Sequence, residues 1–352
     1  MASEAILFEE RGAAGIVTLN RPQALNALNL AMVLALRDQL YAWAGEPAVS
    51  RVVIRGAGER AFCAGGDLRE IYDLNQAGKA EEGLGFWRAE YPMNVSIQRY
   101  PKPYVALVDG IVMGGGVGAS MHGGFRVAGD RFRFAMPEVG IGFFPDAGAT
   151  FLLPRLPGKV GTYLALTGAR VEAGDAIALK LATDRVPSQA FPALVEALAG
   201  GQDVAGTIAA FTVTPEAPPM APRRAVIDRA FSGVSVEEIL QRLDQEASAE
   251  GDDAAFARDT AATMRQKAPL SLKIALAQMQ RGPGLDFANA MRTEFRIVSR
   301  VVHGRDFFEG IRAVVVDKDN APRWNPPTLE GVSEAMVARH FAALARDQEL
   351  KL

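Results

Sequence analysis

Two carboxylates stand eight residues apart in a stretch dominated by glycine, proline and phenylalanine: Glu138 in Ala135-Met136-Pro137-Glu138, and Asp146 in Phe143-Phe144-Pro145-Asp146. An acid among apolar neighbours holds its proton more tightly than in water, and two acids sharing a site push one of them further up. Such a pair suits general acid–base or nucleophilic work. Each also has a plain structural reading. Asp146 can cap a helix over 147–152, and Glu138 can sit in solvent at a strand end.

Backbone donors are the second chemical feature. Two glycine turns leave strands, Ala61-Phe62-Cys63-Ala64-Gly65-Gly66-Asp67-Leu68 and Gly114-Gly115-Gly116-Val117-Gly118. Glycine lets backbone approach a ligand because no Cβ intervenes, and a helix N-terminus presents unpaired N–H groups. Two such turns facing each other would aim two donors at one oxygen, and one donor of that kind is typically worth about 2.7–4 kcal/mol in a transition state. The same glycines equally serve close helix–sheet packing. A third reading is a dinucleotide fingerprint, G-x-G-x-x-G/A over 114–119 with Asp130 at ribose distance. That motif arrives after more than 100 residues rather than in a first βαβ unit.

Other chemistries lack their residues. Cys63 is the only cysteine, and His122, His303 and His340 form no metal-ligating pair. There is no G-x-S-x-G elbow and no phosphate loop. Asp317-Lys318-Asp319-Asn320 starts like a calcium loop and fails at Ala321 and Pro322.

The elements that must position these groups are short. Ile6-Leu7-Phe8 and Gly15–Leu19 flank Arg11-Gly12-Ala13 and read as a hairpin. Asn29 can cap a helix whose apolar face is Val33, Leu36, Leu40 and Trp43. Strands are expected at 51–54, 104–108, 125–128 and 132–135. This alternation through about residue 185 predicts an α/β class with crossover units. Four prolines in 214–222 mark a linker or extended segment, and helices are expected near 236–248, 253–266, 270–280 and 287–303. The expected organisation is a core over 1–213 and a helical region with a tail over 223–352.

With 352 residues and 22% charged, the chain has the balance of a globular protein. A net charge of −3 provides no field for nucleic acid. The stretch 105–121 is interrupted by Asp109 and five glycines, a poor membrane span. Met1-Ala2-Ser3-Glu4-Ala5 has neither a secretion signal's basic and apolar regions nor a transit peptide's character, so a soluble, cytoplasmic protein is expected.

Taken together, Leu19-Asn20-Arg21-Pro22, the 61–67 turn, Met113-Gly114-Gly115-Gly116 and Met136-Pro137-Glu138 resemble the crotonase (enoyl-CoA hydratase/isomerase) superfamily. The resemblance implies a spiral of β-β-α turns with a C-terminal helical region, a bent CoA, and a thioester carbonyl held by two backbone N–H groups, here those of Gly66 and Gly115. Hydratases of this family typically carry a second catalytic glutamate three residues after the middle glycine, where this chain has Gly118. Phe144-Pro145-Asp146, Arg88-Ala89-Glu90-Tyr91, the 304–313 tail, Asp317-Lys318-Asp319 and Pro322-Arg323-Trp324-Asn325-Pro326 resemble the 3-hydroxyisobutyryl-CoA hydrolase branch.

That branch implies hydrolysis of a short 3-hydroxyacyl-CoA, as in valine catabolism, with Glu138 and Asp146 as catalytic acids. Substrate contacts fall at Ala64, Gly65, Asp67, Leu68, Glu90, Gly115, Glu138 and Asp146. No cofactor is implied, because coenzyme A is part of the substrate; no metal, nucleic acid or membrane is implied either. A homo-oligomer, a trimer or a multiple of it, is consistent with such relatives. Enoyl-CoA hydration or isomerisation by Glu138 alone is the alternative, and a non-catalytic acyl-CoA-binding protein is the second. For Glu90 taken alone, the expectation is a solvated helix face. Lys273 reads as a surface lysine or a CoA phosphate contact, and Arg305, Asp306 and Glu309 as tail packing and ion pairs.

Overall fold

Each β-branched or aromatic run identified above forms a strand in the computed structural model, which describes residues 4–352. Backbone proximity divides the chain into two units. The first comprises residues up to Asp67, Arg88–Ala135 and Val171–Pro219. Its strands are β1 (Ile6–Arg11), β2 (Ala14–Leu19), β3 (Arg51–Gly56), β4 (Ala61–Cys63) and β5 (Tyr104–Val108). They continue with β6 (Ile111–Val112), β7 (Phe125–Ala128), β8 (Arg133–Phe134), β9 (Val171–Glu172) and β10 (Asp184–Arg185).

One sheet runs β1-β2-β3-β5-β7-β10 and the other β4-β6-β8-β9. Pairing is parallel except at β1·β2 and β8·β9. From β3 to β8 the chain gives one strand to the larger sheet and the next to the smaller: β3 then β4, β5 then β6, β7 then β8. Helical segments intervene before β5 and β7. That is the β-β-α spiral expected. Its corner at Gly110 requires glycine: φ is +75° and a Cβ would lie 2.5 Å from the Arg60 carbonyl oxygen.

The core of this unit explains the hydrophobic pattern. Ile16, Val53, Val105, Leu107 and Val127 pack against Leu194, Val195, Leu198 and Ile208. The helix Leu30–Gly45 begins where Asn29 accepts the Met32 N–H at 2.9 Å, and it buries Val33, Leu36, Leu40 and Trp43 as their spacing requires. The proline-rich segment is extended and tied down: Glu216 pairs with Arg185 at 2.7 Å, and the Val213 N–H donates to the Arg185 carbonyl.

The second unit, Leu68–Trp87, Met136–Arg170 and Met220–Leu352, is helical. Its helices Val236–Ala247, Asp252–Arg265, Pro269–Arg281 and Phe287–Val301 match the four expected. Ser235 and Asp286 cap two of them by accepting the N–H groups of Glu238 and Asn289. The helices Leu68–Gln76 and Ala80–Gln98 and, in the smaller sheet, β4, β6 and β9 were not anticipated. Among the described residues no helix is long and apolar enough to cross a membrane.

Asn26 locks the entry to the first helix. It is fully buried at φ +56°; its Oδ1 accepts the Arg21 N–H, and its Nδ2 donates to the carbonyls of Ala57 and Ala61, all at 2.9 Å. Asn26→Ala is expected to lower unfolding stability by about 3 kcal/mol, because it orphans buried backbone groups. Urea unfolding measures this; a change under about 0.5 kcal/mol, typical of surface substitutions, would contradict it.

Candidate active site

In the first unit the 64–67 turn is clamped on both sides. The Ala64 N–H donates to Leu25 O at 3.0 Å, the Leu28 N–H to Gly65 O at 2.8 Å and the Asp67 N–H to Leu28 O at 2.8 Å. This single parallel rung pairs Leu28 with Gly66. Among the described residues, the Gly66 N–H donates to no protein acceptor. The same holds for the Gly115 N–H, which opens the helix Gly115–Ser120. The turns adjoin: a Cβ on Gly65 would lie 3.8 Å from the Gly115 nitrogen. A Cβ on Gly116 would lie 2.4 Å from the Cys63 carbonyl oxygen, so glycine here serves packing as well.

Glu90 is not on a solvated face. It is buried on the helix Ala80–Gln98, and a Cβ on Gly115 would come within 2.4 Å of its Oε1. One turn further, fully buried Asn94 presses against Gly118, where a Cβ would meet Oδ1 at 2.6 Å and Nδ2 at 2.7 Å. The space a longer side chain at 118 would need is therefore occupied. Asp67 accepts from Arg21 at 2.8 Å, and Arg21 also donates to the Ala27 carbonyl, so this carboxylate is tied to the frame. Burial pushes the Cys63 thiol up to about 12, which makes it a poor nucleophile. Asp130 accepts from Arg185 at 2.6 Å and from the Ser188 N–H at 2.8 Å; these bonds, not a ribose, account for it.

In the second unit Glu138 opens a turn over Glu138–Ile141. Gly142 closes it at φ +69°, where a Cβ would sit 2.3 Å from the Asp306 carbonyl oxygen. Phe143 then stacks on Trp87 (5.6 Å between centroids) and Phe144 (4.5 Å) and meets Phe307 at a tilt (4.5 Å). Asp146 follows, accepting the Trp87 indole N–H at 3.2 Å. Glu138 is 7% exposed and Asp146 5%. Burial lifts Glu138 well above the ordinary glutamate range, and the charges of Asp146 and Glu294 act in the same direction.

Asp146 does not cap the following helix. Ala149–Leu152 starts at Gly148 without a side-chain cap from its own segment. Both oxygens of Glu294, on the helix Phe287–Val301, instead accept the N–H groups of Gly148 and Thr150 at 2.9 Å. Glu294 was missed in the sequence. Its signal is an acid on a face otherwise made of Phe287, Ala290, Met291, Ile297 and Val298.

The remaining expected residues are placed as follows. Leu68 opens the helix Leu68–Gln76 of the second unit. Lys273 pairs with Glu237 at 2.6 Å. Asp306 accepts the Asn325 N–H at 2.8 Å, and Glu309 pairs with Arg312 at 2.9 Å. Arg312 also binds Asp317 and Asp319 at 2.7 Å, closing the loop that resembled a calcium site.

The first unit thus holds two uncommitted backbone N–H groups on adjoining turns, and the second holds buried acids. The family profile described as enoyl-CoA hydratase/isomerase matches residues 14–341. The chain belongs to this family. It is 43% identical to a Danio rerio protein named 3-hydroxyisobutyryl-CoA hydrolase, mitochondrial, over all of this chain and 92% of that one. An Arabidopsis thaliana protein named 3-hydroxyisobutyryl-CoA hydrolase 1 is 41% identical over all of this chain and 95% of its own length. Among solved structures, one titled a carnitinyl-CoA dehydratase from Mycobacterium thermoresistibile superposes with a TM-score of 0.92 at 40% identity, covering 99% of both chains. The mitochondrial names of vertebrate relatives do not support the cytoplasmic expectation.

The hydratase alternative expects a glutamate at position 118, and this enoyl-CoA hydratase/isomerase family member has Gly118 packed against Asn94. Gly118→Glu is expected to yield no hydration of crotonyl-CoA and to lower stability, because Asn94 must move to admit even a Cβ. Enoyl absorbance and urea unfolding measure both; hydration gained at unchanged stability would contradict the reading.

Proposed function

We propose that this chain hydrolyses a short-chain 3-hydroxyacyl-CoA thioester, converting 3-hydroxyisobutyryl-CoA and water to 3-hydroxyisobutyrate and CoA. The observation that carries the choice within the family is the packing of Asn94 against Gly118. It leaves Glu138 without a second glutamate at 118 and with Asp146 as its acid neighbour. The hydrolase names of full-length relatives at about 40% identity support the same choice.

In this mechanism the Gly66 and Gly115 N–H groups receive the thioester oxygen as negative charge develops on it. Residues 64–68 and Glu90 receive the acyl-CoA. Glu138, ionised, attacks the carbonyl carbon or takes the proton of an attacking water; the C–S bond breaks and the CoA thiolate collects a proton. In the first case a mixed anhydride forms and water then opens it. Asp146 positions the substrate hydroxyl or the water and shares the proton load with Glu138. Two acids in one apolar setting divide such work when their environments hold them in different protonation states.

Hydration of an enoyl-CoA is the second reading, favoured by the titles of two solved relatives, a carnitinyl-CoA dehydratase and a Rhodobacter sphaeroides enoyl-CoA hydratase 39% identical to this chain. A thiol-release assay with 3-hydroxyisobutyryl-CoA, 3-hydroxypropionyl-CoA and crotonyl-CoA separates the two. CoA is expected from the hydroxyacyl thioesters, with Glu138→Ala lowering kcat by roughly a thousandfold or more. Because Glu138 must be ionised and its pKa is raised, kcat/KM is expected to climb only above the usual glutamate range. Consumption of crotonyl-CoA without thiol release would overturn the proposal, and so would tight binding without turnover.

A further inference from the structure

One buried acid has no part in the steps above. Glu294 is 0% exposed and bridges the N–H groups of Gly148 and Thr150. Gln278, from the helix Pro269–Arg281, completes the grip: its Nε2 donates to the Pro145 carbonyl at 2.9 Å and to Thr150 Oγ1 at 2.7 Å. Pro145 and Thr150 bracket Asp146. The backbone between them holds Gly148 at φ +91°, which glycine adopts freely, and before it Ala147 at φ +53°, unfavourable for a residue with a Cβ. Such a conformation persists only where its surroundings over-determine it. An apolar side chain would suit this helix face better than a lone acid, and both oxygens of this acid are spent on the turn.

We propose that Glu294 is a positioning residue that fixes the 145–150 turn and, through it, the direction in which Asp146 presents its carboxylate. This rests on the reading of Asp146 and Glu138 as the acids of the site. The electrostatics agree with the geometry. Burial and the charge of Asp146 push Glu294 up to about 8, against its two N–H donors. The charge of Glu294 in turn raises Glu138.

Its own helix and the helix beside it carry further charged groups. On its own helix, Arg296 pairs with Glu349, and Arg300 donates to the carbonyls of Arg296, His340 and Ala343. The adjacent helix Glu334–Phe341 carries Glu334, Arg339 and His340, and burial lowers His340 to about 4. Ala149–Leu152 brings no charge.

Glu294→Gln keeps the shape but can accept only one of the two N–H groups. The expected result is a folded variant whose kcat falls roughly ten- to hundredfold with little change in KM, and whose ascending pH limb moves. A structural readout accompanies the kinetics. In protein labelled with 15N-tryptophan, the Trp87 indole N–H resonance reports its bond to Asp146. It is expected to shift, while those of Trp43 and Trp324, bonded to Glu10 and to the Gln266 carbonyl, stay in place.

Stability is a third readout. A carboxyl whose folded pKa is raised stabilises at low pH and loses that contribution as pH rises towards about 8. The decline of Tm from pH 5 to 8 should therefore be shallower in Glu294→Gln. Gln278→Met, which removes the second pair of bonds, should move kcat and the Trp87 resonance in the same way and decides the matter if Glu294→Gln does not fold. A folded variant with wild-type kcat, pH limb and Trp87 resonance would overturn the proposal. So would a fall in kcat with Trp87 unmoved. Absence of thiol release from wild type would sink the functional reading alone, since the Trp87 and Tm readouts would still test positioning.

Discussion

Keeping carboxyl groups out of water is the costly act around which the 136–170 segment and the C-terminal helices are arranged. A carboxylate moved into an apolar setting surrenders its hydration and answers by holding its proton. Glu138 and Glu294 are both lifted in this way, with Asp146 adding its charge to each. The apolar setting is specific: Phe143 packs against Trp87, Phe144 and Phe307, and Trp87 donates its indole N–H to Asp146. Glycines at 142 and 310 let the Glu138 turn and the Asp306–Ile311 helix meet backbone to backbone.

The first unit meets a complementary constraint. A carbonyl oxygen can be held by backbone N–H groups only if those groups are withheld from the protein's own hydrogen bonding. The rung at Leu28 and Gly66 does this, satisfying the neighbours on either side while leaving the Gly66 N–H available. The start of a helix does the same for Gly115. Glu90 and Asn94, four residues apart on one helix, occupy the space beside Gly115 and Gly118. The same sequence feature, a glycine every few residues, thus provides donors at some positions and packing room at others.

Much of this was legible in the residues. Long β-branched runs declared the larger sheet, and the three- and four-residue spacing of Val33, Leu36, Leu40 and Trp43 declared a helix with its cap at Asn29. Of the smaller sheet only β8 was legible, from the aromatic alternation of 132–135; β4 has three residues and β6 and β9 have two, too few to carry an alternation. The helix Ala80–Gln98 was obscured by Gly83, Gly85 and Pro92, residues that usually end helices. Glu138 and Asp146 stood out through their apolar neighbours in the chain. Glu294 did not, since what buries it arrives from about 145 residues away.

The proposed reaction requires one thioester to meet both the paired backbone donors and the buried acids. A crystal structure with a 3-hydroxyacyl-CoA analogue whose thioester sulfur is replaced by a methylene tests this most directly. The expected result is a carbonyl oxygen at about 3 Å from the nitrogens of both Gly66 and Gly115, with the Glu138 carboxyl against the carbonyl carbon and Asp146 on the hydroxyl side. A carbonyl bound away from these two nitrogens, or turned from Glu138, would contradict it.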